Sequence, residues 1–256
     1  MFIFCLTGGL HVAYNLNMFN TVKPRSTDQA TRSLILTTAL DTFRRRGLDS
    51  ATMRDIAKSA DVALGAAYYY FPSKEAIVQA YYDQVQTEHL ARVTAALLSA
   101  KNDLLTRLRI AFHCKLDILQ GDRKLLGTLF RYAGEPEHAL SVFGPGTNVN
   151  RAQSISVFTL AVGDERLPDD IRAILPSALW ALHLVVLLYY IYDDSPQQQR
   201  ARKLIDGVLQ LLVRFLSLMK SPLLKPFRGS LFALLGDAGL FSEPPSSPAP
   251  MVHLEA

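Results

Sequence analysis

Apolar residues recur every three to four positions along almost the whole chain after Ser26, which is the spacing of amphipathic α-helices. No convincing pair of segments with the alternating pattern of β-strands lies between turn signals. The sequence therefore predicts an all-α fold. The first predicted helix begins at Ser26 and ends at Gly47, two short ones start near Thr52 and Ala63, and the rest cover residues 75–100, 102–120, 122–134, 148–163, 170–193, 197–220 and 227–236.

The helix lengths divide the chain into two unequal parts. Two short helices directly after a longer one predict a helix-turn-helix domain over residues 26–75, and the helices that follow predict a larger helical domain over residues 76–236. Residues 237–256 are predicted to be a disordered tail, because the last fourteen residues contain four prolines and two serines. With 49% hydrophobic residues in 256, the chain has ample material for a packed core.

Residues 1–25 are predicted to be a leader that is disordered or belongs to an over-long start, with Met18 as an alternative first residue. Residues 1–22 are uncharged but interrupted by glycines and asparagines, so we favour a leader over a membrane anchor. The internal apolar run 178–192 is too short to span a bilayer and predicts a buried helix. Cys5 and Cys114 form neither a disulfide framework nor a metal-site spacing, which suits the cytoplasm.

Charge is concentrated near the predicted helix-turn-helix. The net charge of the chain is +4, and residues 23–75 supply +3 of it, with nine Lys or Arg against six acids. The second short helix of such a unit lies in the major groove of DNA. Thr52 at a helix N-cap and Lys74 suit phosphate contacts, the hydroxyls of Tyr68, Tyr69 and Tyr70 lie at the end of the second short helix, and Arg54 is long enough to reach a base or a phosphate.

These residues form a pattern that resembles the DNA-binding domain of the TetR (tetracycline repressor) family of bacterial transcription regulators. The resemblance covers about residues 27–75 and rests on order and spacing, most specifically on the run 68–76. It is carried by Thr52-Met53-Arg54-Asp55-Ile56-Ala57, Val62, Gly65, Tyr68-Tyr69-Tyr70-Phe71 and Ser73-Lys74-Glu75.

The resemblance implies contacts to the DNA backbone from Thr52, Tyr68, Tyr70 and Lys74. It also implies that Arg54 and residues 63–69, among them Leu64, Gly65, Ala66 and Tyr69, face the bases. The chain departs from the family pattern in two ways. Its recognition helix is poor in polar residues, and Asp61 stands where glycine is common. Such a helix suits apolar contacts to thymine methyls.

A second amphipathic stripe predicts how two copies pair. On the predicted helix 197–220, apolar residues recur at alternating spacings of four and three, which suits helix pairing at a shallow angle. Two-fold pairing would place two recognition helices one DNA turn apart, about 34 Å. The alternative is that this helix and its apolar neighbour only build the subunit core. The predicted dimer-interface residues are Leu204, Val208, Leu211, Phe215 and Leu218.

The resemblance further implies a pocket for a small apolar inducer in the larger domain. Its composition permits an apolar cavity with a few polar groups, although a histidine on an apolar helix is more often a core residue. The candidate lining residues are Phe112, His113, Leu116, Phe130, Tyr132, Phe158, Trp180 and His183.

These observations favour a repressor that binds a palindromic operator in double-stranded DNA as a homodimer and is released by a ligand. The alternatives are a helical adaptor or an enzyme that retains the fold without operator binding. The sequence has no nucleophile-elbow, zinc-protease or phosphate-loop motif, so we expect no enzyme, no cofactor, no metal and no membrane partner.

Overall fold

The computed structural model describes residues 26–99 and 103–230. Within these ranges the chain is helical and contains no strand, so the all-α prediction is confirmed. The helices are α1 (Ser26–Arg46), α2 (Met53–Ser59), α3 (Leu64–Tyr70), α4 (Lys74–Ser99), α5 (Leu104–Ile118), α6 (Arg123–Ala133), α7 (Asn148–Val162), α8 (Asp169–Tyr192) and α9 (Gln199–Met219).

The predicted helix limits agree with these bounds to within about two residues. Gly47 ends α1 with a positive φ of 81°, and its N–H donates to the carbonyl of Phe43. The helix predicted at 227–236 is helical from 225 to 230, and its remainder lies outside the described residues. The predicted leader at 1–25, with Cys5, and the predicted tail at 237–256 also lie outside them.

Helices α1, α2 and α3 form a small unit, here called the head, on the first turns of α4. The apolar stripe of α1 faces inward, and its residues Ile35 and Phe43 are buried against Ile56 of α2 and Phe71 after α3. Burial of these side chains is the main source of stability for so small a unit. It also fixes the angle at which α3 projects from the head.

The larger part, here called the body, comprises α4 to α9. Helices α4, α5 and α7 pack against one another in its centre, α8 covers α6 and α7, and α9 lies on α5. Phe112 of α5 and Phe158 of α7 are fully buried there with ring centroids 5.2 Å apart. Because α4 begins beside α3 and ends in the body, it connects the two parts mechanically.

Helix α8 differs from the buried helix that its sequence predicts. Leu179, Val186 and Leu187 are buried, but Val185 and Tyr192 on the other side are 64% and 76% exposed. By length and hydropathy α8 passes the criteria for a membrane span, as the core helix of a soluble protein also does, and it begins with Asp169 and Asp170. It packs against α6, α7 and α9, so its inner face belongs to the bundle and only its outer apolar face lacks a cover.

Candidate functional site

The N-terminus of α2 is closed by a reciprocal cap. The hydroxyl of Thr52 donates to the carboxylate of Asp55 at 2.6 Å and accepts from the Asp55 N–H at 3.1 Å, while the Thr52 N–H donates to the same carboxylate. These bonds lower the pKa of Asp55. The cap therefore holds α2 in place, and the Thr52 hydroxyl proton is already used within the head.

The outer surface of α3 is open. Tyr69 is 81% exposed and Tyr68 48% exposed, whereas Leu64 packs partly against the core. A Cβ atom built on Gly65 would meet nothing within 4 Å. Arg54 of α2 is exposed and has no hydrogen bond or ion pair to any described residue. The surface of α2 and α3 thus presents the free guanidinium of Arg54 and the free phenols of Tyr68 and Tyr69, and the rest of the outer face of α3 carries only small side chains.

The turn between α2 and α3 requires an unusual backbone conformation. Asp61 has a φ of 53°, the left-handed region in which glycine is least strained. This geometry explains why the family pattern favours glycine there. An aspartate tolerates the position better than most residues, so the turn keeps its shape at some cost in free energy.

The remaining predicted DNA contacts already have partners in the head. The ammonium of Lys74 donates to the carbonyls of Leu48 and Asp49 at 2.7 and 3.3 Å. The hydroxyl of Tyr70 donates to Asp28 at 3.2 Å, and its ring packs against Tyr69. Lys74 therefore ties the start of α4 to the loop after α1, and only part of its hydrogen-bonding capacity remains for another group.

Two polar contacts join the head to the body through α6. At the N-terminal end of α6, the buried carboxylate of Asp122 accepts from Arg44 of α1 and from the hydroxyl of Tyr81 of α4, each at 2.6 Å. The ion pair with Asp122 raises the pKa of Arg44. Near the C-terminal end of α6, Arg131 and Tyr132 both donate to Asp49 in the loop after α1.

The body contains a cavity of about 110 Å³ between α4, α5, α6, α7 and α8. Most of its wall is apolar, including Leu126 and Leu129 of α6 and Leu187 of α8. This composition, with a few polar groups among apolar side chains, is typical of a small-molecule site.

The structure brings three of the eight predicted pocket residues to this cavity: Phe130, Trp180 and His183. Phe112, Leu116 and Phe158 are buried in the core instead, where the two phenylalanine rings pack on His183 from behind. His113 points toward Asp206 of α9 at 3.2 Å, and Tyr132 is bound to Asp49. Residues of one helix separate in this way because only one face of each helix meets the cavity.

Sequence reasoning missed Lys115, which lines the cavity and is only 2% exposed. Burial lowers the pKa of its ammonium to about 7. A signal was present, since Lys115 continues the apolar stripe of Leu108, Phe112 and Leu119 at helical spacing. A charged residue inside such a stripe indicates a buried polar site.

The outer faces of α8 and α9 carry several large apolar side chains that no other described residue covers. On α9, Leu204, Leu211, Phe215 and Leu218 are between 41% and 66% exposed, and Val208 between them is half-buried. The opposite face of α9, with Ile205 and Leu209, is buried against the body. All five predicted dimer-interface residues thus lie on the outward side of the helix.

Comparison with known proteins agrees with this geometry in both parts of the chain. A sequence model of bacterial regulatory proteins of the tetR family matches residues 35–81. A model of the tetracyclin repressor-like C-terminal domain matches residues 107–228. Together they match more than half of the chain. The chain belongs to the TetR family.

Its similarity to individual curated family members covers about a quarter of the chain. The chain is 44% identical over 64 residues to the regulator UidR of Escherichia coli, and 40% identical over 68 residues to TtgR of Pseudomonas putida. These matches cover 25% and 26% of this chain and 33% and 32% of the relatives. The chain thus spans about a third of the length of the curated relatives that it matches.

Solved TetR-family structures share the fold over most of the chain. A TetR regulator from Nitrosomonas europaea is 18% identical with a TM-score of 0.58, covering 71% of this chain and 97% of that one. One from Syntrophomonas wolfei is 17% identical with a TM-score of 0.59, covering 72% and 95%. At such low identity the likeness concerns the fold alone.

Proposed function

We propose that this TetR-family chain is a cytoplasmic transcriptional regulator, a repressor that binds operator DNA as a homodimer and is released by a small molecule. The observation that carries the proposal is the open face of α3 beside the unpaired guanidinium of Arg54. Such a surface fits the major groove, where an arginine can bind a guanine edge bidentately and a methyl-sized surface can contact thymine.

The uncovered surface of α8 and α9 supports the homodimer. Large apolar patches are rare on monomeric proteins, and the exposed residues here lie on two neighbouring helices of the bundle. A second copy would cover the patch by two-fold symmetry and form a four-helix interface. The same symmetry would present two α3 helices to two half-sites of one duplex.

The position of α6 supports release by a ligand. Leu126, Leu129 and Phe130 of this helix line the cavity, while its two ends hold Arg44 and the loop at Asp49 through the contacts described above. A ligand that binds better when α6 is displaced would therefore change how the head sits on the body. It would deplete the DNA-binding state by its difference in affinity for the two conformations.

The test is selection of bound duplexes from a random pool with the full chain, followed by affinity measurements at several salt concentrations. We expect two inverted half-sites at a fixed separation and a steep fall of log K with log salt. A weak response that is independent of both sequence and salt would contradict the proposal and favour an adaptor.

A matched pair of variants locates the surface. Arg54→Ala should reduce affinity for the selected site about tenfold to a hundredfold, as expected for loss of a base-contacting arginine. Arg166→Ala is the control, because Arg166 is also exposed and has no ion pair to a described residue but lies in the body. Equal affinities of the two variants would remove α2 and α3 from the DNA interface.

A further inference from the structure

The polar groups of the cavity indicate the chemical class of its ligand. We propose that the cavity binds a small apolar monocarboxylate whose carboxylate group is held by Lys115, Ser154 and His183. The inference deepens the proposed function by naming the class of the effector, and it depends on that function only for the consequence of binding.

Lys115 is a buried cation without a buried anion. Its ammonium donates to the neutral side-chain oxygen of Gln86 at 3.0 Å, and among the described residues no carboxylate lines the cavity. A buried ammonium is costly unless an opposite charge and further hydrogen bonds compensate it. Lys115 is therefore one half of an ion pair whose anion is missing from the described wall of the cavity.

Two further groups in the same wall lack hydrogen bonds. The hydroxyl of Ser154 on α7 is 1% exposed and has no partner among the described residues, and neither ring nitrogen of His183 on α8 has one. The main chain of Trp180 lies near the His183 ring but without the geometry of a hydrogen bond. Buried polar groups are rarely left without a hydrogen bond, so these unsatisfied groups indicate that a polar atom of a ligand in the cavity bonds to them.

Most other polar groups in the wall are already occupied. The hydroxyl of Tyr81 donates to Asp122, and the side-chain amide of Asn150 donates to Asp83 at 2.5 Å. Thr147 and Arg151 donate to main-chain carbonyls. The fully buried unsatisfied groups of the wall are thus the hydroxyl of Ser154 and the imidazole of His183, which can donate to a carboxylate together with the ammonium of Lys115. The hydroxyl of Tyr82 also lacks a hydrogen bond to a described residue.

The apolar wall and the volume of the cavity determine the size of the apolar part of the ligand. Phe130, Leu129 and Trp180 form much of the surface, and the volume of about 110 Å³ is similar to that of a cavity that holds one benzene ring. Such a space suits one ring or a short branched chain.

The charge state of Lys115 makes the expected affinity depend on pH. With the pKa of the free ammonium near 7, the carboxylate would select the protonated form and raise that pKa. Affinity for a carboxylate should therefore be about tenfold lower at pH 8 than at pH 6. The other titratable groups around Lys115 are Tyr81, Tyr82 and His89 on α4, Arg151 on α7 and His183 on α8.

None of these groups reproduces that profile. Burial and the charge of Lys115 lower the pKa of His89 to about 3 and the pKa of His183 well below its ordinary value, so both stay neutral above pH 6. Burial raises the pKa of Tyr81 and of Tyr82, and both remain protonated at pH 8.

The fluorescence of Trp180 tests the proposal directly, because it is the only tryptophan of the chain and lines the cavity. The full-length protein is titrated at pH 6 with benzoate, phenylacetate and 3-phenylpropionate, each paired with its primary amide. We expect at least one acid to change the emission saturably and to bind at least tenfold more tightly than its amide. Equal binding of acid and amide, or no binding of any acid at millimolar concentration, would overturn the proposal.

Variants distinguish the loss of an ion pair from a change in the shape of the cavity. Lys115→Met should abolish the preference for the acid and the pH dependence, while Lys124→Met, at an exposed lysine on α6, should keep both. Ser154→Ala should weaken acid binding several-fold and keep the pH dependence, so it serves as the second variant if Lys115→Met does not fold. A retained acid preference in folded Lys115→Met, or unchanged acid binding in Ser154→Ala, would exclude these groups from the site.

The selected duplex separates this inference from the proposed function. Acid-selective binding by a protein that ignores all duplexes would retain the ligand class and refute the regulator. Specific DNA binding together with equal affinity for acid and amide would retain the regulator and refute the ligand class. Both hold if the acid, and its amide only at higher concentration, releases the duplex.

Discussion

The head and the body handle their polar groups in different ways. Around α2 and α3 the groups without a partner, such as Arg54 and Tyr69, are exposed to solvent, and several others are bonded to near neighbours, as Thr52 is to Asp55. The body also has exposed groups without a partner, such as Arg166, but in addition it has buried unsatisfied groups, such as Ser154, that come from different helices. An exposed polar group is hydrated, so it costs no free energy when it lacks a protein partner. A buried polar group without a partner costs free energy until a ligand forms a hydrogen bond with it. The contrast fits a large external partner for the head and a small enclosed one for the body.

The junction between the two parts provides the largest expected effect. Asp122→Ala removes the buried acceptor of both Arg44 and Tyr81, and we expect the free energy of unfolding to fall by about 3 kcal/mol in urea denaturation. Asp41→Ala removes only the exposed partner of the same arginine and should cost less than about 1 kcal/mol. Similar losses for both variants would mean that the junction is not a stabilising contact.

A charged substitution tests whether the apolar surface of α9 forms the proposed dimer interface. Leu211 is 66% exposed, and Leu211→Glu would place two like charges in the proposed seam, which should weaken dimerisation about a hundredfold or more. Gln210→Glu adds the same charge beside the seam and should remain dimeric. Analytical ultracentrifugation over a concentration series measures both, and a fully dimeric Leu211→Glu would move the interface elsewhere.

The buried lysine predicts a stability that rises with pH. Because the pKa of Lys115 is lowered to about 7 by burial, the unfolded chain binds more protons than the folded one between pH 7 and about 10. The unfolding free energy of the wild type relative to Lys115→Met should therefore rise by about 1 kcal/mol per pH unit from pH 7 to pH 9. Urea denaturation at three pH values measures it, with Lys124→Met as control; a constant difference would mean that Lys115 titrates as in water.

Lys74 separates a structural role from a DNA contact. Lys74→Ala should weaken binding to all duplexes alike and reduce the salt slope by about one. It should also lower the free energy of unfolding by about 1 kcal/mol, because the carbonyls of Leu48 and Asp49 lose a donor. The control is Lys225→Ala, at an exposed lysine remote from the head. A lower stability with an unchanged slope would assign Lys74 to the structure alone.

The smallest expected effect lies in the turn before α3. Asp61→Gly should stabilise the protein by about 0.5–1 kcal/mol, because it removes the strain of a side chain at a φ of 53°. Asp61→Ala keeps the Cβ atom and should give no gain. Thermal unfolding of the two variants compares them, and a loss of stability in Asp61→Gly would show that the aspartate side chain itself supports the turn.

The head was predictable from sequence because its determinants are local. The Thr52–Asp55 cap, the stop at Gly47 and the packing of Phe71 lie within a few residues of the helices that they define. The unusual backbone at Asp61 was visible only as a departure from a pattern. Even here, the hydrogen bonds of Lys74 depend on the loop after α1, 25 residues away, and no spacing rule reveals them.

The cavity was not predictable at the same level, because five helices define it. Helical spacing places Phe112, Leu116 and Phe158 on apolar faces, but it does not tell which part of a face meets the core and which meets a void. Tyr132 and Phe130 are two positions apart on α6 and therefore point in different directions. The one local sign of the cavity in the sequence is a lysine, Lys115, within an apolar stripe.

Gly65 can be substituted without a steric clash, on the surface of α3 that we propose contacts DNA. Nothing surrounds the place where its side chain would be, and glycine is a poor helix former, so almost any residue installed there would leave the fold intact or strengthen it by up to about 1 kcal/mol. A library at this single codon would therefore vary what α3 offers to a base pair while the scaffold stays constant. The position is a natural entry point for engineering repressors with new operators.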